Sequence, residues 1–221
     1  MRGLFITGTD TGVGKTVACA ALMHRYRGAA PLRYWKPIQT GSDDDTATVR
    51  RLAVCQDDEI FDQGVRLPEP LSPHIAAELA GTRIDLPSLR DSPPADESTG
   101  WIVEGAGGVL VPVNEIHLMA DWMVMLELPV LIVARSRLGT INHTLLTLEA
   151  LHARWIKAVG VFMVGDLIPA NRAAIERYGS VPVLGEMPFF HPLTPDAIAA
   201  WSAVNLDRER ILAPFFASNT P

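Results

Sequence analysis

A chain of 221 residues can build one well-packed core but is too short for two separate enzymatic domains, so we expect a single domain over residues 1–221. Hydrophobic residues make up 48% of the sequence and charged residues 20%, which is typical of a globular protein and argues against a disordered or fibrous one. The formal net charge of −6, with no local cluster of basic residues, argues against nucleic-acid binding.

Three features favour a cytoplasmic protein with no membrane partner. The two cysteines, Cys19 and Cys55, fit neither a disulfide framework nor a metal-binding spacing, so we expect two buried thiols in a reducing compartment. A functional-looking motif begins within a few residues of Met1, which leaves no room for a cleavable signal. The apolar runs 130–134 and 158–164 are much shorter than the ~18 residues needed to cross a bilayer.

In chain order, the first half of the sequence alternates between strand and helix patterns. Residues 3–7 predict a buried strand and residues 14–27 a helix, followed by a strand at 33–35 and a helix at 45–53. The stretch 81–100 is rich in Pro, Ser and Asp and is expected to be an exposed loop within the same domain.

The second half repeats the alternation with short runs rich in Val and Ile. Continuous apolar runs of this length predict strands buried on both faces of a parallel sheet. The runs are 101–103, 130–134, 159–164 and 181–184, with a helix expected at 141–155. Residues 109–113 are either an extra strand or a hairpin arm. The expected fold class is α/β: a doubly wound, mainly parallel sheet flanked by helices. The motif described next makes this sheet similar to that of P-loop NTPases.

The strongest motif is Gly8-Thr9-Asp10-Thr11-Gly12-Val13-Gly14-Lys15-Thr16, placed between a predicted strand and a predicted helix. It is a variant phosphate-binding loop, because Thr9 stands where the strict pattern has glycine. Gly12 and Gly14 would let backbone N–H groups surround phosphate oxygens at the start of the helix. Lys15 adds positive charge, and the hydroxyl of Thr16 can ligate Mg²⁺. The alternative is a glycine-rich turn with a surface lysine.

Lysine is rare in this chain, since only three of its 19 basic residues are lysines: Lys15, Lys36 and Lys157. Lys36 follows a predicted strand, at the position where α/β sheets place their ligand sites. A retained lysine suggests a need for a compact ammonium group beside a moving phosphoryl group. The alternative for Lys36 is an ordinary solvated charge at the end of a strand.

Carboxylates for a metal are available at two places. Glu104 follows the apolar run 101–103 and precedes Gly105-Ala106-Gly107-Gly108, so we expect a carboxylate at the C-terminal end of a strand. The run 43–45 offers three aspartates, although a charge run at a helix start is often a cap. Position alone does not choose among these three.

The helix expected after residue 140 has a start that suits an anionic substrate group, because its first N–H groups lack partners within the helix. Plain capping by Thr140 or Asn142 is an equally good interpretation. His74 is expected to be a loop or helix-surface residue rather than a catalyst.

Several motifs in this order resemble the dethiobiotin synthetase family over most of the chain. They are the phosphate-binding loop, Trp35-Lys36-Pro37-Ile38-Gln39-Thr40-Gly41, Pro70-Leu71-Ser72-Pro73-His74, Val103-Glu104-Gly105-Ala106-Gly107-Gly108, Leu138-Gly139-Thr140-Ile141-Asn142-His143 and Leu184-Gly185-Glu186-Met187-Pro188.

The resemblance implies a reaction and its participants. The substrate would be 7,8-diaminopelargonic acid, one amine of which takes up CO₂ to form a carbamate. ATP would convert the carbamate into a carbamic-phosphoric anhydride, and the second amine would close the ureido ring of dethiobiotin. The resemblance also implies Mg²⁺ as cofactor and a homodimer with shared active sites.

The resemblance assigns roles to positions of this sequence. Catalysis falls to Lys15 and Lys36, and the metal ligands are Thr16, Asp45 and Glu104. The substrate residues are Thr11, Lys36, Thr40, Gly139, Thr140 and Asn142. The nucleotide residues are Gly12, Val13, Gly14, Lys15, Thr16, Val17, Asp45, Glu104, Gly105, Ala106, Gly107, Gly165, Asp166, Pro188, Phe189 and Phe190.

One position departs from the family pattern: Gly165-Asp166 stands where the family commonly has Asn-Asp to bind adenine. Without the carboxamide we expect weak preference for ATP over other nucleoside triphosphates.

A partitioning or positioning ATPase of the same fold family is the alternative function. Such proteins characteristically have lysine at the position of Asp10, and residues 205–216 lack the basic amphipathic character of a membrane-targeting helix.

Overall fold

The computed structural model describes residues 1–28, 30–96 and 98–217. Nine strands are assigned among these residues: β1 Arg2–Gly8, β2 Leu32–Trp35, β3 Ile38–Thr40, β4 Ile60–Phe61, β5 Val65–Leu67, β6 Gly100–Gly108, β7 Val130–Ser136, β8 Ala158–Gly165 and β9 Val183–Met187. Seven of them form one parallel sheet in the order β4-β2-β6-β1-β7-β8-β9, and β3 pairs with β5 in a small second sheet.

Helices cover both faces of the large sheet. They are α1 Lys15–Tyr26, α2 Asp45–Ala53, α3 Pro73–Leu79, α4 Leu86–Arg90, α5 Met119–Leu126, α6 Thr140–His152, α7 Pro169–Gly179, α8 Pro195–Asn205 and α9 Ala213–Phe216. Successive side chains of a strand point to opposite faces, so Leu4 and Ile6 join the core under α1, α2, α8 and α9, whereas Phe5 joins the core under α3 to α7. The expected doubly wound α/β fold is therefore confirmed.

The long apolar strands lie close to their predicted positions, with two differences. β6 continues to Gly108, because Gly8 of β1 pairs with Gly108, so Glu104 lies inside the strand and the prediction that it ends a strand is wrong. β9 begins at Val183 rather than at residue 181, because Pro182 has no N–H for the ladder and contributes only its carbonyl, to Val161.

The less regular segments also differ from simple patterns. Residues 109–113 do not form a strand; a single antiparallel bridge between Pro112 and Leu118 makes them the arm of a short hairpin. The expected loop at 81–100 contains α4, and position 97 within it lies outside the described residues. In the part of the chain that the structure describes, no helix has the length and apolar character needed to span a bilayer.

Both cysteines are free thiols, but their surroundings differ. Cys19 is fully buried in α1, as expected. Cys55 is only half-buried, so the expectation of a buried thiol is wrong there; partial burial still raises the pKa of Cys55 to about 11.

The outer strand β9 has main-chain groups that are bonded by side chains of α7. The N–H of Val183 donates to Glu176 Oε1 at 3.1 Å, and the carbonyl of Val183 accepts from Arg172 Nη2 at 3.2 Å. The opposite outer strand, β4, is only two residues long. The main-chain groups of Val183 are thus occupied at one edge, and the strand at the other edge is short.

Candidate active site

The parallel strands bring the candidate residues to one edge of the sheet, because all their carboxyl ends point the same way. The glycine-rich loop follows β1, Lys36 follows β2, and Gly105, Ala106 and Gly107 continue β6 beyond Glu104. The start of α6 follows β7, and Gly165 ends β8 beside the end of β9.

The loop after β1 has a conformation that depends on its glycines. Gly12 and Gly14 have φ angles of 65° and 103°, in the left-handed region that favours glycine, and Gly14 caps the start of α1. The N–H of Thr9 donates to the carbonyl of Val133 at 2.9 Å, which fixes the loop to β7. The backbone N–H groups at this helix start form a suitable cradle for phosphate oxygens.

Lys15 begins α1 and is buried, with its ammonium group donating to the carbonyl of Asp10 at 3.3 Å. Burial lowers the pKa of Lys15, and the positive charge of Lys36 lowers it further, although Glu104 and Asp45 oppose this. The interpretation of this loop as a turn with a surface lysine is therefore wrong.

Lys36 is the centre of a buried charge cluster and is only 3% exposed. Its Nζ lies 2.6 Å from Asp45 Oδ2 and 2.9 Å from Glu104 Oε1, and it donates to the carbonyl of Gly105 at 3.1 Å. The alternative of a solvated charge at the end of a strand is thus wrong. Two elements, α2 and β6, thus bring their oxygen atoms to this ammonium group.

The pKa values of this cluster follow from a competition between burial and charge. Burial alone would lower the pKa of Lys36, but the carboxylates of Glu104 and Asp45 outweigh it, and the pKa is raised. Burial alone would raise the pKa of Asp45, but the charge and hydrogen bond of Lys36 outweigh it, and the pKa is lowered. Both groups are therefore held in their charged forms at neutral pH.

The three aspartates at the start of α2 have different roles. Asp44 caps the helix, because its side chain accepts from the N–H of Ala47 at 2.8 Å. Asp43 is exposed. Asp45 instead turns towards the charge cluster, and its own N–H donates to Gln39 Oε1 at 3.3 Å. The capping interpretation is therefore right for Asp44, whereas Asp45 lies against Lys36 and stays a candidate site residue.

Hard oxygen ligands for a divalent cation lie within this cluster. The hydroxyl of Thr16 is 2.9 Å from Asp45 Oδ1 and 3.1 Å from Glu104 Oε1. A hydroxyl has a single proton, so it can donate fully to only one of these two acceptors. One hydroxyl and two carboxylates are a donor set that fits Mg²⁺. In this structure the ammonium group of Lys36 supplies the positive charge beside them.

Two further residues shape the site and are not among the residues that the sequence predicts there. Tyr34 is fully buried, and its hydroxyl donates to Glu104 Oε2 at 2.9 Å; burial, followed by the charge of Glu104, raises its pKa, so it stays protonated. The guanidinium group of Arg135 donates to the carbonyl of Gly12. The charged side chain of Arg135 near the end of the apolar strand β7 is the available signal for that residue, whereas Tyr34 is one of two aromatic residues in β2 and carries no such signal.

The start of α6 has no side-chain cap in the described structure, so plain capping by Thr140 or Asn142 is wrong. Gly139 takes the N-cap position with φ 92°, and Asn142 is exposed. Thr140 is buried, and its hydroxyl finds no partner among the described residues. None of the described hydrogen bonds or ion pairs joins these residues to the lysine cluster.

The remaining substrate-side candidates lie on loops and edges. Thr11 is exposed at the tip of the loop after β1, and Thr40 is the half-buried last residue of β3. His74 is the second residue of α3, half-buried, with Nδ1 3.0 Å from the hydroxyl of Ser72, consistent with the surface position expected.

The expected base side of the site combines a glycine with an exposed aromatic ring. Gly165 has φ 124°, and a Cβ atom added there would lie 3.4 Å from the ring of Phe189, which is itself 55% exposed. Asp166 is exposed, and Pro188 and Phe190 are half-buried. The structure thus brings both segments together, with no carboxamide at position 165.

Comparison with known proteins shows the family of this chain. A family model described as an AAA domain matches residues 2–197. ATP-dependent dethiobiotin synthetase BioD of Paramagnetospirillum magneticum is 51% identical over 201 residues, covering 90% of this chain and 94% of the relative. The enzyme of the same name from Agrobacterium fabrum is 44% identical, covering 87% and 89%. The chain belongs to the dethiobiotin synthetase family.

Solved structures with the same fold are more distant than these family members. The septum site-determining protein MinD of Pyrococcus horikoshii, complexed with Mg-ADP, has a TM-score of 0.55 at 16% identity, covering 97% of this chain and 93% of that one. MinD of Pyrococcus furiosus has a TM-score of 0.53 at 18% identity, covering 90% of each. Such identities show a shared P-loop NTPase fold alone. As a member of the dethiobiotin synthetase family, the chain is a ligase.

Proposed function

We propose that this site carboxylates 7,8-diaminopelargonic acid with CO₂ and closes its ureido ring at the expense of ATP, giving dethiobiotin, ADP and phosphate in biotin biosynthesis. One observation supports this most strongly: the buried ammonium group of Lys36 lies between Asp45 and Glu104, next to Thr16 of the phosphate-binding loop. A second lysine this close to a P-loop suits a reaction that develops negative charge beyond the terminal phosphate.

The chemistry proceeds in three steps. One amine adds to CO₂ and loses a proton, which gives a carbamate. A carbamate oxygen then takes the terminal phosphoryl group of ATP, which gives a carbamic-phosphoric anhydride and ADP. Attack by the second amine on the carbonyl carbon forms the ring and releases phosphate. Lys15 and Lys36 stabilise the carbamate and the transferring phosphoryl group, so the protein acts mainly by positioning and charge neutralisation.

In this proposal Thr16, Asp45 and Glu104 hold Mg²⁺, which when bound neutralises charge on the terminal phosphates. The nucleotide contacts the loop and β6 segments, residues 12–17 and 104–107, and its base lies against Gly165, Asp166 and residues 188–190. Thr11 and Thr40 contact the diamine. The start of α6, with Gly139, Thr140 and Asn142, binds the substrate carboxylate across a homodimer; the left-handed Gly139 at its N-cap leaves the first N–H groups without a side-chain cap.

A direct test uses a carbon label in the bicarbonate. The protein is incubated with diaminopelargonic acid, labelled bicarbonate, Mg²⁺ and ATP, and the expected result is label in an acid-stable ureido product. ATP hydrolysis that proceeds equally well without the diamine, with the label confined to bicarbonate, would favour a switch ATPase instead.

The proposal also places the protein in the cytoplasm as one domain, without nucleic-acid or membrane partners.

The base side of the site makes a prediction about nucleotides. Because position 165 offers only backbone, turnover with ATP, GTP, CTP and UTP is expected to differ by less than about tenfold, the effect of about 1.4 kcal/mol of discrimination. Initial rates at equal concentrations of each nucleotide measure this. A hundredfold preference for ATP would contradict the prediction.

A further inference from the structure

The two oxygens of Glu104 have different surroundings. Oε1 faces the charge cluster, 2.9 Å from the ammonium group of Lys36 and 3.1 Å from the hydroxyl of Thr16. Oε2 points the other way and accepts a hydrogen bond from the hydroxyl of Tyr34 at 2.9 Å. A carboxylate can only accept hydrogen bonds, so the hydroxyl proton of Tyr34 is directed at Oε2.

Tyr34 is in a position where it can hold this oxygen firmly. Its side chain is fully buried in the core beneath α1, and β2 pairs with β6, so that Tyr34 lies opposite Ile102, two residues before Glu104. Among the described residues, Glu104 is the only hydrogen-bond partner of its hydroxyl. Turning Oε2 towards the site would therefore leave a buried hydroxyl without an acceptor, which is unfavourable.

This one-sided arrangement matters for the choice of metal. Mg²⁺ requires near-octahedral geometry with short bonds and suits carboxylates that offer one oxygen, whereas Ca²⁺ accepts more ligands and often takes both oxygens of a carboxylate. We propose that Tyr34 is a positioning residue that keeps Glu104 presenting a single oxygen, and that it thereby favours Mg²⁺ over Ca²⁺. The inference rests on the metal site of the proposed function.

The test measures metal binding rather than turnover. Wild-type protein and Tyr34→Phe are saturated with a non-hydrolysable ATP analogue and Mn²⁺, and Mg²⁺ and Ca²⁺ are titrated as competitors while the electron paramagnetic resonance signal of free Mn²⁺ is followed. Loss of an outer hydrogen bond to a metal ligand weakens metal binding by about 10–100-fold. Tyr34→Phe is expected to weaken the binding of Mg²⁺ by about tenfold or more and the binding of Ca²⁺ by less than about threefold.

The Mg²⁺/Ca²⁺ affinity ratio decides the outcome. A ratio that stays at the wild-type value, whether both affinities are retained or both fall equally, overturns the role of Tyr34. Circular dichroism checks the fold; if the phenylalanine variant does not fold, Tyr34→Met removes the same hydroxyl with a more adaptable side chain and takes its place.

Two control variants separate this inference from its basis. Tyr26→Phe removes the hydroxyl of another buried tyrosine, bonded to Asp207 away from the charge cluster, and is expected to leave the ratio unchanged. Asp45→Asn tests the metal site itself and is expected to weaken the binding of both cations. Full Mg²⁺ binding by Asp45→Asn would overturn the site and the inference together, whereas weak binding with an unchanged Tyr34→Phe ratio would overturn the inference alone.

Discussion

Two buried carboxylates in this molecule each accept a hydrogen bond from a buried tyrosine, but the rest of their surroundings differ. Asp207 accepts from Tyr26 and from the N–H groups of Ile211 and Leu212 at 2.8 and 2.7 Å. All of these donors are neutral. Glu104 accepts from Tyr34 and Thr16 but also from the ammonium group of Lys36.

The difference separates a carboxylate that holds the fold from one that, in the proposed function, holds a metal ion. The donors of Asp207 are held by the folded backbone and by helix α1, so its negative charge stabilises the turn after α8. The charge of Glu104 is balanced by a flexible side chain that can move when other cations and phosphates arrive. The pairing with a lysine is what makes Glu104, rather than Asp207, the candidate site carboxylate. Three variants test the contrast, in order of expected effect.

The largest effect is expected for Lys36→Gln. Loss of one charged donor from a site that stabilises developing negative charge lowers kcat by about 10²–10³-fold. Binding of a non-hydrolysable ATP analogue should change little, because the loop after β1 is intact. Lys157→Gln is the matched control, since Lys157 is exposed and lies outside the site. A Lys36→Gln enzyme with kcat near the wild-type value would remove Lys36 from its assigned role.

The second variant is Asp207→Ala, which should affect stability rather than chemistry. It leaves two backbone N–H groups and the hydroxyl of Tyr26 without their acceptor, so the free energy of unfolding is expected to fall by about 2–4 kcal/mol. Chemical denaturation measures this change. Asp62→Ala, which removes only an exposed ion pair with Arg66, is the control and should be nearly neutral. Unchanged stability in Asp207→Ala would contradict the structural role assigned to Asp207.

The smallest effect concerns acid stability. The pKa of Asp45 is lower in the folded protein than its ordinary value of 3.8, so the ionised carboxylate stabilises the fold above about pH 4. That contribution is lost as the pH falls through the folded pKa. The difference in Tm between wild type and Asp45→Asn should therefore be largest near neutral pH and should shrink below about pH 4.

The control for this last variant is Asp44→Asn, which removes the same charge one residue earlier while keeping an oxygen that can cap α2. A Tm difference for Asp45→Asn that did not depend on pH would show that the ion pair with Lys36 does not contribute to stability.

Much of the fold could be predicted because its signals are local. β1, β7 and β8 are continuous apolar runs, and α2 was predicted at the same residues that form it. The strands β3, β4 and β5 could not be predicted, because two or three residues carry no recognisable period. These short strands exist only because neighbouring segments are there to pair with them.

The candidate site was predictable as a set of loops but not in its contacts. The glycine-rich motif points to Lys15, and the apolar runs that precede them point to Lys36 and Glu104. The division of roles between Asp44 and Asp45 depends on how α2 is oriented, which no local pattern contains. Tyr34 was missed for the same reason: in sequence it is one more aromatic residue of a buried strand, and only the pairing of β2 with β6 directs its hydroxyl at Glu104.

The side-chain bonds on the outer strand β9 have a consequence for how two copies of this protein could associate. Arg172 and Glu176 occupy the main-chain groups of Val183 that an incoming strand would need, and β4 is too short to serve as a template. A continuous sheet running from one subunit into the next is therefore disfavoured. Contact through helices and loops is the arrangement that the proposed homodimer requires, with the start of α6 of one copy at the site of the other.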